Sequence, residues 1–123
     1  MEQQIQLPPL NEGETYLCGF IDANGDVTHT ILLPGDHNHA TWQEQMDWAK
    51  SIGGDLPTRV ELAVANEKYR SQFMPNWYWS NEESTEQPGW AWFQTFTLGY
   101  QNVTPVDTKY RARAVRRVTP TKP

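Results

Sequence analysis

Glu82 and Glu83 are adjacent carboxylates within WYWSNEESTEQPGWAWFQTF, the stretch from Trp77 to Phe96 that holds four of the chain's six tryptophans. Two carboxylates can flank a glycosidic bond, one as acid and the other as base or nucleophile. Neighbours along a strand point to opposite sides, however, and no His, Ser or Cys constellation accompanies this pair. Hydrolysis is therefore not the expected chemistry, and the chain is not expected to be an enzyme. Binding is the better use of these residue types. Alternation along a strand puts Trp90, Trp92 and Gln94 on one face, and Tyr100, Gln101 and Asn102 follow soon after. Such rings stack on sugars or anchor a protein interface, while carboxylates and amides bond hydroxyls or basic groups. The candidate ligand-binding residues are Glu82, Glu83, Trp90, Trp92, Gln94, Tyr100, Gln101 and Asn102, with Glu86 beside them. No catalytic residue is expected.

Neither a metal nor another cofactor is expected. Asp22, Asn24 and Asp26 in DANGD alternate like half of a calcium loop, but Val27 and Leu33 stand where its glycine and glutamate would be. Asp36, His37 and His39 lie in a polar loop, PGDHNHA, with no further ligand evident. Cys18 is alone, which excludes an internal disulfide and a multi-cysteine metal site; it reads as a small core residue.

The elements that must position the candidate site follow from pattern. Residues 1–13 read as a flexible arm, 14–119 as one domain and 120–123 as a tail. TYLCGFI and VTHTILL are strand-like runs around Asn24-Gly25, whose positive φ angles suit a tight turn, so a hairpin is expected over 15–33. Thr41 with Glu44, and Thr58 with Glu61, are S/T-x-x-E capping boxes. They start helices over about 42–52 and 59–72, the first ended by Gly53-Gly54 and the second by Pro75. Trp42, Met46, Ala49 and Ile52 align on the first helix, and Leu62, Ala65 and Tyr69 on the second. From Trp77 onward the pattern favours strands, ending in KYRARAVRRV. This order is α+β with mostly antiparallel pairing.

The 123 residues have a formal net charge of −5, a mean hydropathy of −0.73 and 12% aromatic residues. The polar composition implies a modest core in which rings supply much of the buried area. Residues 1–108 carry 4 basic and 15 acidic groups, net −11, and residues 109–123 carry 6 basic and none acidic. The balance disfavours broad nucleic-acid binding. Strand 109–117 is the one candidate anion patch, and its arginines are expected to pair with the acidic remainder. No apolar run is long enough for a membrane span, and no secretory signal is visible. The chain is expected in a cytoplasm or associated with a virion.

The pieces LPTRVEL (56–62), WYWS (77–80), W-F-x-x-F-x-x-G-Y-Q (92–101) and RARAVRRV (111–118), in this order, resemble the Lcl C-terminal domain family of phages and bacteria. Those domains are similar to the C-type-lectin fold. The resemblance implies two helices flanking mostly antiparallel strands, paired N- and C-terminal strands, and an irregular second sheet over about 77–107 that presents the ligand surface. It also implies that Trp77 and Trp79 are framework residues. The calcium-ligating triplets of sugar-binding C-type lectins are missing, since QPG at 87–89 ends in Gly89. LPT-x-x-E also resembles a segment of formylglycine-generating enzymes, but these need catalytic cysteines that Cys18 does not match. The expectation is a metal-independent module that binds a protein or carbohydrate through residues 80–104, of phage or prophage origin, serving adhesion or receptor recognition. The alternative is an intracellular phage effector that blocks a host defence or nucleic-acid-processing protein.

Overall fold

Both helices begin with complete capping boxes: each threonine accepts from the backbone N–H three residues on, and each glutamate bonds the threonine N–H in return. In the computed structural model, which describes residues 6–119, helix α1 runs Trp42–Ser51 and helix α2 runs Arg59–Lys68. A short 3-10 turn, Arg70–Gln72, follows α2. Residues 1–5 of the expected arm and the 120–123 tail lie outside the described residues. From Pro9 to Glu14 the arm is tied to Arg116, which bonds the Pro9 carbonyl and both Glu14 oxygens.

Gly53, at φ 84°, ends α1, and Gly54 lets the chain pass close to the C-terminal strand. A Cβ on Gly54 would lie 2.6 Å from the Val115 carbonyl oxygen and 2.7 Å from Leu33 Cδ1. Asp55 and Val115 exchange two backbone hydrogen bonds of 2.8 Å there. Gly54→Ala is therefore expected to cost about 1–3 kcal/mol, read as a lowered urea midpoint with an unchanged slope.

Strands β1 (Thr15–Ile21) and β2 (Val27–Leu32) form the expected hairpin. Its turn differs from the expected one. Only Gly25 has positive φ, and Asn24 does not. Gly25 N–H donates to Asp22 O and Asp22 N–H to Asp26 O, making a three-residue loop with a glycine bulge. The Asp22 carboxylate accepts the N–H groups of Asn24 and Asp26, so it holds the turn.

The C-terminal strand β8 (Val115–Val118) pairs with β2, giving the order β1-β2-β8. The N- and C-terminal regions thus share a sheet through the second hairpin strand, not through β1. The second sheet has the order β3-β7-β4-β5-β6, from β3 (His37–Ala40), β4 (Trp77–Glu83), β5 (Trp90–Thr95), β6 (Gln101–Pro105) and β7 (Tyr110–Ala112). The β4–β7 contact, Tyr78 opposite Arg111, is parallel, and the other pairings are antiparallel. Two expectations change here. PGDHNHA contributes a strand, because β7 supplies a distant partner that polar composition does not advertise. KYRARAVRRV is two strands in two sheets. They part at Arg113, which is buried and donates to the carbonyls of Gln72 and Leu33 at 2.6 and 2.8 Å.

The core fills the space between sheets and helices. Trp79 is wholly buried, and its indole N–H donates to the Ala40 carbonyl at 3.1 Å. Trp77, expected as a framework ring, is 37% exposed. It stacks on Phe93 and meets Tyr110 edge-on, at the start of β4. Ile52, expected on the inner face of α1, is exposed because it caps the helix instead of continuing it.

The arginines of the basic strand are used internally. Arg111 pairs with Asp36, Arg116 with Glu14, and Arg117 with both Asp55 and Glu61, at 2.7–2.8 Å. The hydrogen bond from Arg116, against some burial, holds the Glu14 carboxyl down at about 2. Among the described residues, no helix is long and apolar enough to cross a membrane.

Candidate functional site

A bulge in β4 builds the site. Trp79 lies opposite Phe93 but Glu83 lies opposite Ala91, so Ser80, Asn81 and Glu82 share the space opposite Trp92. Bulges of this kind re-aim side chains beside functional sites. Ser80 Oγ donates to the Trp92 carbonyl, and Asn81 N–H donates to Pro57 O. Glu82 reaches the start of α2 and accepts the Arg59 backbone N–H at 2.7 Å. A carboxylate there satisfies an unpaired donor and complements the helix dipole.

Arg59, the first residue of α2, turns its side chain onto β5. Its guanidinium carbon lies 3.4 Å from the centroid of the Trp92 ring. Such stacking stabilises by about 0.5–2 kcal/mol, depending on desolvation. Arg59 Nε donates to Gln101 Oε1, and Gln101 Nε2 donates to the Arg59 carbonyl at 2.7 Å and to Gln94 Oε1 at 2.9 Å. This lattice locks the helix start to strands β5 and β6.

A groove opens around it. One part, of about 430 Å³, is lined by Arg59, Trp92, Val103 and the segment Glu82 to Gln87. A second, of about 290 Å³, is lined by Arg59, Val60, Ala63, Glu82 and Gln101. The two hollows adjoin, with Arg59 and Glu82 in the lining of both. The loop forming the outer wall is braced: Ser84 Oγ accepts the N–H groups of Glu86 and Gln87, and Ser84 N–H donates to Trp90 O.

The structure sorts the expected site residues. Glu82, Glu83, Trp92 and Gln101 meet at the groove, with Glu86 on its wall. The bulge overrides simple alternation, so Glu82 and Glu83 line the same hollow. Trp90 is half-buried opposite Pro105, on the same strand but outside the lining. Gln94 was expected to face outward. It is 1% exposed and locked to Gln101 and the Thr95 carbonyl, so it supports the site from below. Tyr100 is exposed at the β5–β6 turn. Asn102 lies opposite Phe93, on the other face of the sheet from Trp92, and its side chain bonds its neighbour's N–H. Arg59, Val60 and Ala63 were missed. The capping box placed residue 59 in the first helical turn, but the meeting of that turn with β5 is a long-range event.

The other reactive groups are occupied elsewhere. His37 Nδ1 lies 2.7 Å from Gln45 Oε1, and the ring stacks on Trp48. Asp36 bonds Arg111 and the Tyr78 hydroxyl, and His39 bonds Asn38. Burial, then the nearby Glu61, pushes the Cys18 thiol up to about 11, leaving little thiolate at neutral pH. Among the described residues, no group of three or more His, Cys, Asp or Glu could hold a metal ion. Compared with known protein families and curated proteins, the chain matches none.

Proposed function

We propose that the chain is a non-enzymatic, metal-independent binding module that grips a protein or glycan through the groove at the start of α2. The carrying observation is the convergence of Arg59, Trp92, Glu82, Glu83 and Glu86 on one concave, braced surface. Binding sites elsewhere share these traits: a ring, a few directed polar groups, and a rigid support. The lining holds no His or Cys, and one Glu82 oxygen is already engaged by Arg59 N–H. Both facts weigh against general acid–base work.

A C-type-lectin-like reading of the fold supports this function. The terminal regions share one sheet, α2 packs on strands of both sheets and α1 on the second, and that second, irregular sheet carries the groove. On the Lcl C-terminal resemblance, the module is a phage or prophage protein for adhesion or receptor recognition. A second reading is an effector that blocks a host defence or nucleic-acid-processing protein. The acidic groove wall favours it, because such enzymes present basic surfaces to nucleic acid.

The paired variants Arg59→Ala and Trp92→Ala test the site. Each is expected to lower capture of a partner from host lysate, or of glycans on an array, by about tenfold or more. Thermal melting should fall by only a few degrees, since neither side chain is in the interior. Capture that survives both changes would remove the groove from the function. Co-purification with virions would favour adhesion, and recovery of one soluble host protein would favour the effector.

A further inference from the structure

The groove has two chemically distinct ends. At one end stand Glu83 and Glu86, which have no cationic partner among the described residues. The nearby cation, Arg59, is already stacked on Trp92 and bonded to Gln101. That end is therefore net negative. The other end is apolar: Val60 is 56% exposed beside Ala63. Leu98 (80% exposed) and Tyr100 flank Gly99, whose Cα side abuts the Asn66 side chain further along α2. Exposed apolar groups in a cavity lining mark interaction surfaces, and of these Val60 and Ala63 line the hollow.

Resting on the binding reading above, we propose that the occupant is a basic polypeptide segment, with lysines or arginines against Glu83 and Glu86 and an apolar side chain against Val60 and Ala63. Charge complementarity selects a cationic partner over a nucleic acid, whose phosphates would meet the same carboxylates. The chemistry also selects polypeptide over sugar. Arg59 covers one face of the Trp92 ring, so that face is no platform for a pyranose, and Gln94 is sealed beneath. An apolar side chain next to a cationic one matches the two ends together.

The test uses the full chain and a fluorescein-labelled, end-capped decapeptide of alternating lysine and leucine. A glutamate–leucine decapeptide and neutral oligosaccharides serve as comparisons. The lysine–leucine peptide should bind, with nitrogen-15 amide shifts confined to residues around Arg59, Val60, Glu83, Glu86 and the Trp92 indole. Glu83→Gln with Glu86→Gln should weaken binding by about fivefold or more, from two carboxylates at roughly 0.5 kcal/mol each. Val60→Ser, which removes the apolar contact without adding charge, should weaken it by about threefold or more. Glu12→Gln with Asp47→Asn removes the same charge from exposed sites elsewhere and should leave affinity within about twofold. Equal weakening by both charge pairs, shifts scattered over the surface, or no binding would overturn the inference. If a neutral oligosaccharide shifts the groove residues and the basic peptide does not, this inference falls while the broader binding function stands.

Discussion

Replacing Glu61 with Ala is expected to destabilise the protein by about 3–5 kcal/mol, as the loss of one member of a buried ion pair does. Glu61 is 2% exposed and joins three parts of the fold. It bonds the Thr58 N–H at the start of α2, accepts the Thr30 hydroxyl from β2 at 2.7 Å, and takes two hydrogen bonds from Arg117 on β8. The variant leaves the Thr30 hydroxyl and one helix donor without their partner. Arg117 keeps Asp55, which limits the loss. Burial alone would raise the Glu61 carboxyl, but the bonds from Arg117, Thr58 and Thr30 outweigh it and hold it below its ordinary value of 4.5. A carboxyl depressed in the folded state contributes stability that is complete above about pH 4.5 and is lost as pH falls through the folded value. Glu14, held at about 2, acts in the same window. Acid denaturation should therefore be shallower between about pH 4.5 and pH 2 in Glu61→Gln than in the parent, as urea midpoints across that range would show. An unchanged acid limb would remove Glu61 from this role.

Trp79→Ala is expected to cost about 3–5 kcal/mol as well, for a different reason. The ring is fully buried, packs against Tyr110, and bonds the Ala40 carbonyl across the sheet. Its removal leaves a cavity and an unpaired acceptor at the join of β3, β4 and β7. Denaturation should show a large fall in midpoint, with a lowered melting temperature. Trp92→Ala, thirteen positions on, should show a loss below about 2 kcal/mol, since it forfeits mainly the Arg59 stack and partial burial. A comparable loss at both positions would mean that Trp92 is a core ring.

The framework was legible where local chemistry decides it. The capping boxes at Thr41 and Thr58 placed both helix starts to the residue, because reciprocal bonds over three positions need nothing distant. The β1–β2 hairpin was legible from Asn24-Gly25, though only Gly25 takes the positive φ. Alternation placed Trp90, Trp92 and Gln94 on one face of one strand, but not the burial of Gln94 on that face, where its amide finds partners in Gln101 and Thr95. It failed at Glu82 and Glu83, because a bulge is invisible to a period of two. β3 and the break at Arg113 depended on partners seventy or more residues away in the chain. Arg59 illustrates the same limit. Its type and its helix position were plain, but its seat on Trp92 exists only after α2 docks on β5.

Trp92 and Trp77 offer a direct comparison, because both rings reach the surface from opposite faces of one sheet. Isothermal titration of the recovered partner against Trp92→Ala and Trp77→Ala, with both variants confirmed as folded, isolates the face that binds. If the groove at the start of α2 is the binding surface, Trp92→Ala should lose most of the affinity and Trp77→Ala should keep it. Retained affinity in Trp92→Ala together with loss in Trp77→Ala would place the function on the other side of the molecule.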